Sequence, residues 1–85
     1  MSTQEVTTDE VLAAIRDELT AIKVPGAETA ELSTQWSDLD VDSLDLVELV
    51  KALEDRFDVQ ISDDSLKSIA SVGDAIDTVT SLRGS

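Results

Sequence analysis

The sequence predicts an all-α fold: a four-helix bundle with a long loop after the first helix and a short third helix. Two observations predict it. Apolar residues recur at helical spacing in three separate segments. Ser, Thr or Asp stands where each helix would begin, with a carboxylate three residues on at several of these starts. The chain has 85 residues, no internal repeat and no low-complexity linker, so residues 1–85 read as one domain.

The first helix is expected from about Thr8 to Lys23. Thr7 and Glu10 have capping-box spacing. Val11, Leu12, Ile15, Leu19 and Ile22 form its apolar face, and Pro25-Gly26 should end it. Gly26 to Val41 reads as a long loop whose Leu32, Trp36 and Leu39 pin it to the core. Trp36 is the only tryptophan and the strongest such anchor. The second helix is expected over Ser43–Phe57 with Asp42 as N-cap. It buries Leu46, Leu49, Val50, Leu53 and Phe57. Leu44 and Val47 fall outside that stripe. They share a side with Lys51, flanked by Asp45, Glu48, Glu54 and Asp55. Ser62 can cap a brief third helix over about Asp63 to Ser68 that carries Leu66 and leads to Ile69. The fourth helix should start after Ser71, with Ser71 and Asp74 at capping-box spacing. Val72, Ala75, Ile76, Val79 and Leu82 make its apolar face, Arg83 suits its C-terminal end, and Gly84 stops it.

Composition narrows the function. There are 19 acidic and 6 basic residues, a formal net charge of −13. Phosphate would be repelled, so nucleic acid is not an expected partner, and an anionic membrane surface is disfavoured in the same way. A partner with a basic patch is favoured. The N-terminus has no basic and apolar signal pattern, and no apolar run has the length of a membrane span. A cytoplasmic location is therefore expected. There is no cysteine and no histidine, which excludes disulfides, thiolate metal sites and Ser-His or Cys-His nucleophiles within this sequence. Gly26, Gly73 and Gly84 stand too far apart to make a phosphate loop. The chain is poorly equipped to be an enzyme.

One stretch, Asp38 to Leu49 (DLDVDSLDLVEL), carries the functional signal. Asp38, Asp40 and Asp42 alternate as in the opening of a calcium loop. The pattern then fails: Ser43 stands where the turn needs Gly, Asp45 where an apolar residue belongs, and Leu49 where a bidentate Glu belongs. No metal site is expected, although an acidic calcium-binding or regulatory module is the alternative that the residues leave open. Helix capping accounts for Asp42 and Asp45. It does not account for Ser43 followed by the non-core Leu44, with acids continuing down the helix.

DSLDLVELVKALEDRFDVQI resembles the acyl carrier protein family, whose hallmark is Asp-Ser-Leu at the start of the second helix. The resemblance extends to the first amphipathic helix, the long loop with an aromatic before SDLDVDSL, and SVGDAIDTV opening the last helix. It looks most similar to the discrete, type II carriers of fatty-acid and polyketide systems. It implies a four-helix bundle of acyl-carrier type, with the acidic second helix a functional surface rather than a solvated face. It also implies that Ser43 bears 4′-phosphopantetheine through a phosphodiester, installed from coenzyme A by a phosphopantetheinyl transferase, with Asp42 and Leu44 flanking the attachment. The thiol of that arm would hold acyl groups as thioesters, which suits a chain without a thiol of its own. The phosphate would lie at a helix N-terminus, where the dipole favours it, although Asp42 and Asp45 oppose it. The acidic second helix becomes a docking face for basic patches on acyltransferases, ketosynthases or acyl-activating enzymes. Asp45, Val47, Glu48, Lys51, Glu54 and Asp55 are its implied residues, together with Asp42 and Leu44. A bound acyl chain would lie among Leu46, Val50, Leu53, Leu66, Ile69 and Ile76, and the chain would act as a monomer. Asp40 stands where the family usually has Gly, Lys51 where an apolar residue usually stands, and Ser62 where Pro is common, while Ser65 and Leu66 replace a more acidic third helix. These departures point toward a carrier specialised for polyketide or hybrid natural products.

Overall fold

The computed structural model describes residues 7–84. Four helices run in the expected order: α1 (Thr8–Ala21), α2 (Ser43–Phe57), α3 (Asp63–Lys67) and α4 (Val72–Gly84). The connection after α1 contains two 3-10 turns, Ala27–Thr29 and Trp36–Leu39. Among the described residues there is no strand, only an isolated antiparallel bridge between Gln35 and Ser71. The all-α bundle expected from the sequence is therefore the fold.

α1 starts where its capping box stands. The Glu10 N–H donates to the Thr7 hydroxyl, and the Thr7 N–H donates to the Glu10 carboxylate. It ends two residues before the expected Lys23, and without Pro25-Gly26. Lys23 adopts φ 65°, its N–H donates to the Thr20 carbonyl, and the Val24 N–H reaches back to the Leu19 carbonyl. That pair of bonds is the Schellman arrangement, with a lysine in the left-handed position that glycine usually fills. α2 ends in a similar way at Asp58, φ 55°, with the Val59 N–H donating to Glu54 O.

The core is built on α1. Val11, Ala14, Ile15 and Leu19 are fully buried and meet Leu49 and Leu53 of α2 and Val72, Ala75, Ile76 and Val79 of α4 in one apolar cluster. α3 contributes no buried residue. It is held by Ser62, whose hydroxyl accepts from the Ser65 N–H. Two expected core residues lie elsewhere. Leu32 is 49% exposed and Leu82 44% exposed. Leu32 pins the loop through its backbone instead of its side chain. Its carbonyl accepts from the Gly73 N–H at 2.9 Å. A Cβ at Gly73 would lie 2.8 Å from that oxygen, so the position admits only glycine without a shift of backbone.

That contact is part of the cap on α4. The Val72 N–H donates to Thr34 O, the Gly73 N–H to Leu32 O, the Asp74 N–H to the Ser71 hydroxyl and the Ala75 N–H to Ser71 O. The Ala75 bond is the first of the helix itself, and the three donors before it, on Val72, Gly73 and Asp74, are all satisfied, two of them by the long loop. Asp74 does not close a capping box on Ser71; its carboxylate accepts from the Ala70 N–H, one residue earlier.

The surface is strongly anionic and little neutralised. The ion pairs among the described residues both belong to Arg56 of α2, which reaches Asp17 at 3.5 Å and Glu18 at 3.6 Å on α1. Self-repulsion should therefore limit stability at low ionic strength. The melting temperature is expected to rise from low salt to roughly 0.5 M NaCl, about where the Debye length falls to a few ångströms. A flat response in differential scanning calorimetry would contradict this.

Candidate functional site

The candidate site is the junction between the 3-10 turn Trp36–Leu39 and α2. Trp36 is buried, and its indole Nε1–H donates to the Ile69 carbonyl at 3.1 Å. Its backbone N–H donates to Ala70 O. The turn is closed locally by Asp38, whose carboxylate accepts from the Gln35 N–H at 3.0 Å. Beyond the turn the chain reverses. The Asp40 N–H donates to Ser37 O and the Val41 N–H to Trp36 O. The reversal requires Asp40 to adopt φ 57° and ψ 34°.

The left-handed region is costly for most side chains, and Asp tolerates it better than most because it is short and polar. The backbone of the reversal is thus a physical reason for a short polar residue at position 40, independent of any metal. Among the described residues no group of three or more acidic side chains is arranged to hold a metal ion. Asp40→Gly is expected to preserve the fold and to change stability by no more than about 1 kcal/mol, while Asp40→Val should cost about 1–2 kcal/mol. Urea denaturation would measure both, and a valine variant as stable as the parent would contradict the backbone role.

Asp42 is the N-cap of α2, as the sequence predicts. Its carboxylate accepts from the Asp45 N–H at 2.9 Å, and its carbonyl accepts from the Leu46 N–H. Ser43 is the first helical residue and is exposed. Its hydroxyl engages no described residue. The N–H groups of Ser43 and Leu44 likewise meet no acceptor among the described residues, whereas the equivalent Val72 and Gly73 N–H groups of α4 are both paired. An open hydroxyl next to two unpaired donors at a helix N-terminus suits a phosphodiester.

Below Ser43, α2 presents a charged and partly apolar face. Leu44 is 75% exposed and Val47 37% exposed, against the buried Leu49, Val50 and Leu53 on the opposite side. Glu48, Lys51 and Asp55 are exposed and Asp45 is half-buried. Glu54 is also half-buried, and one of its carboxylate oxygens accepts from the Ile61 N–H at 2.7 Å. Glu54 therefore holds the α2–α3 connection as well as facing solvent, a role that its sequence position did not reveal.

The six residues expected to surround an acyl chain divide into two groups. Leu53, Ile69 and Ile76 are in the main apolar cluster and half-buried Leu46 packs against it. Val50 is buried and Leu66 half-buried, but both lie outside that cluster.

A family model described as "Phosphopantetheine attachment site" matches residues 9–79. An acyl carrier protein of Sulfurovum sp. (strain NBC37-1) is 47% identical over 68 residues, covering 80% of this chain and 87% of that protein. An acyl carrier protein of Prochlorococcus marinus (strain MIT 9515) is 38% identical over 81 residues, covering 95% of this chain and 98% of that protein. The chain belongs to the acyl carrier protein family. It is a carrier and not a catalyst, and its prosthetic group is a covalently attached 4′-phosphopantetheine. No helix among the described residues is long and apolar enough to cross a membrane.

Proposed function

We propose that Ser43 is the attachment residue and that the whole chain acts as one carrier domain, ferrying acyl groups between enzymes of fatty-acid or polyketide and related natural-product biosynthesis in the cytoplasm. When bound, the arm supplies a terminal thiol on which acyl groups ride as thioesters. The observation that carries the reading is the start of α2: Ser43 exposed, its hydroxyl unengaged, and the Ser43 and Leu44 N–H groups without an acceptor among the described residues. Those two donors can hold the phosphate, while Asp42 fixes the helix start and so the direction in which the Ser43 hydroxyl points.

The phosphopantetheinyl transferase and the acyl-loading and condensing enzymes are its partners in this reading. Leu44 and Val47 supply the apolar contact, and Asp45, Glu48, Glu54 and Asp55 the charge that attracts basic patches, with Lys51 among them. Such contacts form fast, dissociate readily and weaken with salt. Leu46, Val50, Leu53, Leu66, Ile69 and Ile76 are the residues proposed to shelter the acyl chain.

The test is intact-mass spectrometry after incubation of the apo protein with coenzyme A and a phosphopantetheinyl transferase. One increment, equal to a single phosphopantetheine arm, is the expected result. No increment, or several, would overturn the reading.

A further inference from the structure

We infer that Lys51 selects among partner enzymes by pairing with a carboxylate set inside their otherwise basic docking patch; this rests on the docking face proposed above. Lys51 follows Val47 by four residues and Leu44 by seven, so the three residues form one stripe down the exposed side of α2. Lys51 has potential carboxylate partners at helical spacing in Glu48, Glu54 and Asp55, yet no described carboxylate pairs with it. Glu54 is turned to the Ile61 N–H. The other cation of α2, Arg56, is taken up by Asp17 and Glu18 of α1. The result is one exposed, unpaired ammonium in a field of carboxylates, about 10 Å along the helix axis from Leu44.

A partner patch that is basic throughout would meet repulsion at that point. A patch with one Asp or Glu about 10 Å from its Leu44-binding contact would instead gain a pair there, and the like-charge penalty would fall on the wrong enzymes. The partner is therefore an acyl-transferring enzyme with mixed charge: cations opposite Asp45, Glu48 and Asp55, and a carboxylate opposite Lys51.

The test uses the holo protein as substrate for the acyl-loading enzyme of its own organism. Lys51→Met is expected to raise KM about three- to fivefold and Lys51→Glu on the order of tenfold, with kcat unchanged and with any fall in melting temperature from the added self-repulsion removed by salt. Changing the opposing carboxylate of that enzyme to lysine should restore KM for Lys51→Glu. A KM for Lys51→Met equal to or below that of the parent overturns the proposal, as does a failure of the exchanged pair to recover. Glu48→Lys in the same assay separates the two levels. If it raises KM while Lys51→Met does not, the selective role of Lys51 falls alone. If neither variant changes KM, the docking face falls with it.

Discussion

Ser43→Ala is expected to abolish phosphopantetheinylation completely while leaving the fold intact. The two halves of this expectation have separate physical grounds. The hydroxyl is the only group at that position able to form the phosphodiester, so its removal leaves no residual reaction. The same hydroxyl contributes no hydrogen bond to any described residue. Alanine is also the better helix former at an exposed helical position. Stability should therefore stay within about 0.5 kcal/mol of the parent. Intact mass and thermal melting measure the two halves. Labelling that persists in Ser43→Ala would remove Ser43 from its role, and a large loss of stability would mean that the hydroxyl has a structural partner.

Trp36→Ala is expected to have the largest effect on folding. Truncation of a buried Trp typically costs about 3–5 kcal/mol, and an 85-residue domain has roughly 4–13 kcal/mol in total. The loss here would also leave the Ile69 carbonyl without its indole donor, in a buried setting. The consequences reach the site, because the Trp36 carbonyl accepts from the Val41 N–H in the reversal that leads into α2. Trp36→Phe should keep most of the apolar contact and lose the donor, at a cost of about 1–3 kcal/mol. Urea denaturation followed by far-UV circular dichroism measures both variants. A cost below about 1 kcal/mol for Trp36→Ala would contradict its place as the anchor of the loop.

The contrast between Trp36 and Leu32 shows what the sequence discloses and what it withholds. A lone large aromatic in a polar loop is legible as an anchor because burial of its area outweighs alternatives. Leu32 looked equivalent, yet it is half exposed and acts through its carbonyl. Backbone hydrogen bonds leave no trace in residue identity, so the cap that the loop places on α4 was not readable, apart from the glycine at position 73 that it requires. The bounds of α2 were readable because Asp42 is a strong cap and the apolar spacing is regular. The end of α1 was not, because Lys23 fills a left-handed position that glycine normally marks. Asp40 and Asp58 conceal the same conformation.

At the site, residue types and spacing singled out Ser43, and geometry adds the unpaired donors beside it. Glu54 is the residue on which sequence reasoning was incomplete: its place on the acidic face was clear, but its bond to Ile61 depends on how the chain returns after Asp58.

The most direct measurement is peptide mapping of the protein purified from its own host. Cleavage after Lys23 and Lys51 releases residues 24–51, which contain Ser33, Ser37 and Ser43. Fragmentation of that peptide is expected to place a single phosphopantetheine arm, with any acyl cargo at its end, on Ser43. An arm on Ser33 or Ser37, or a peptide that is wholly unmodified in the host, would contradict the assignment.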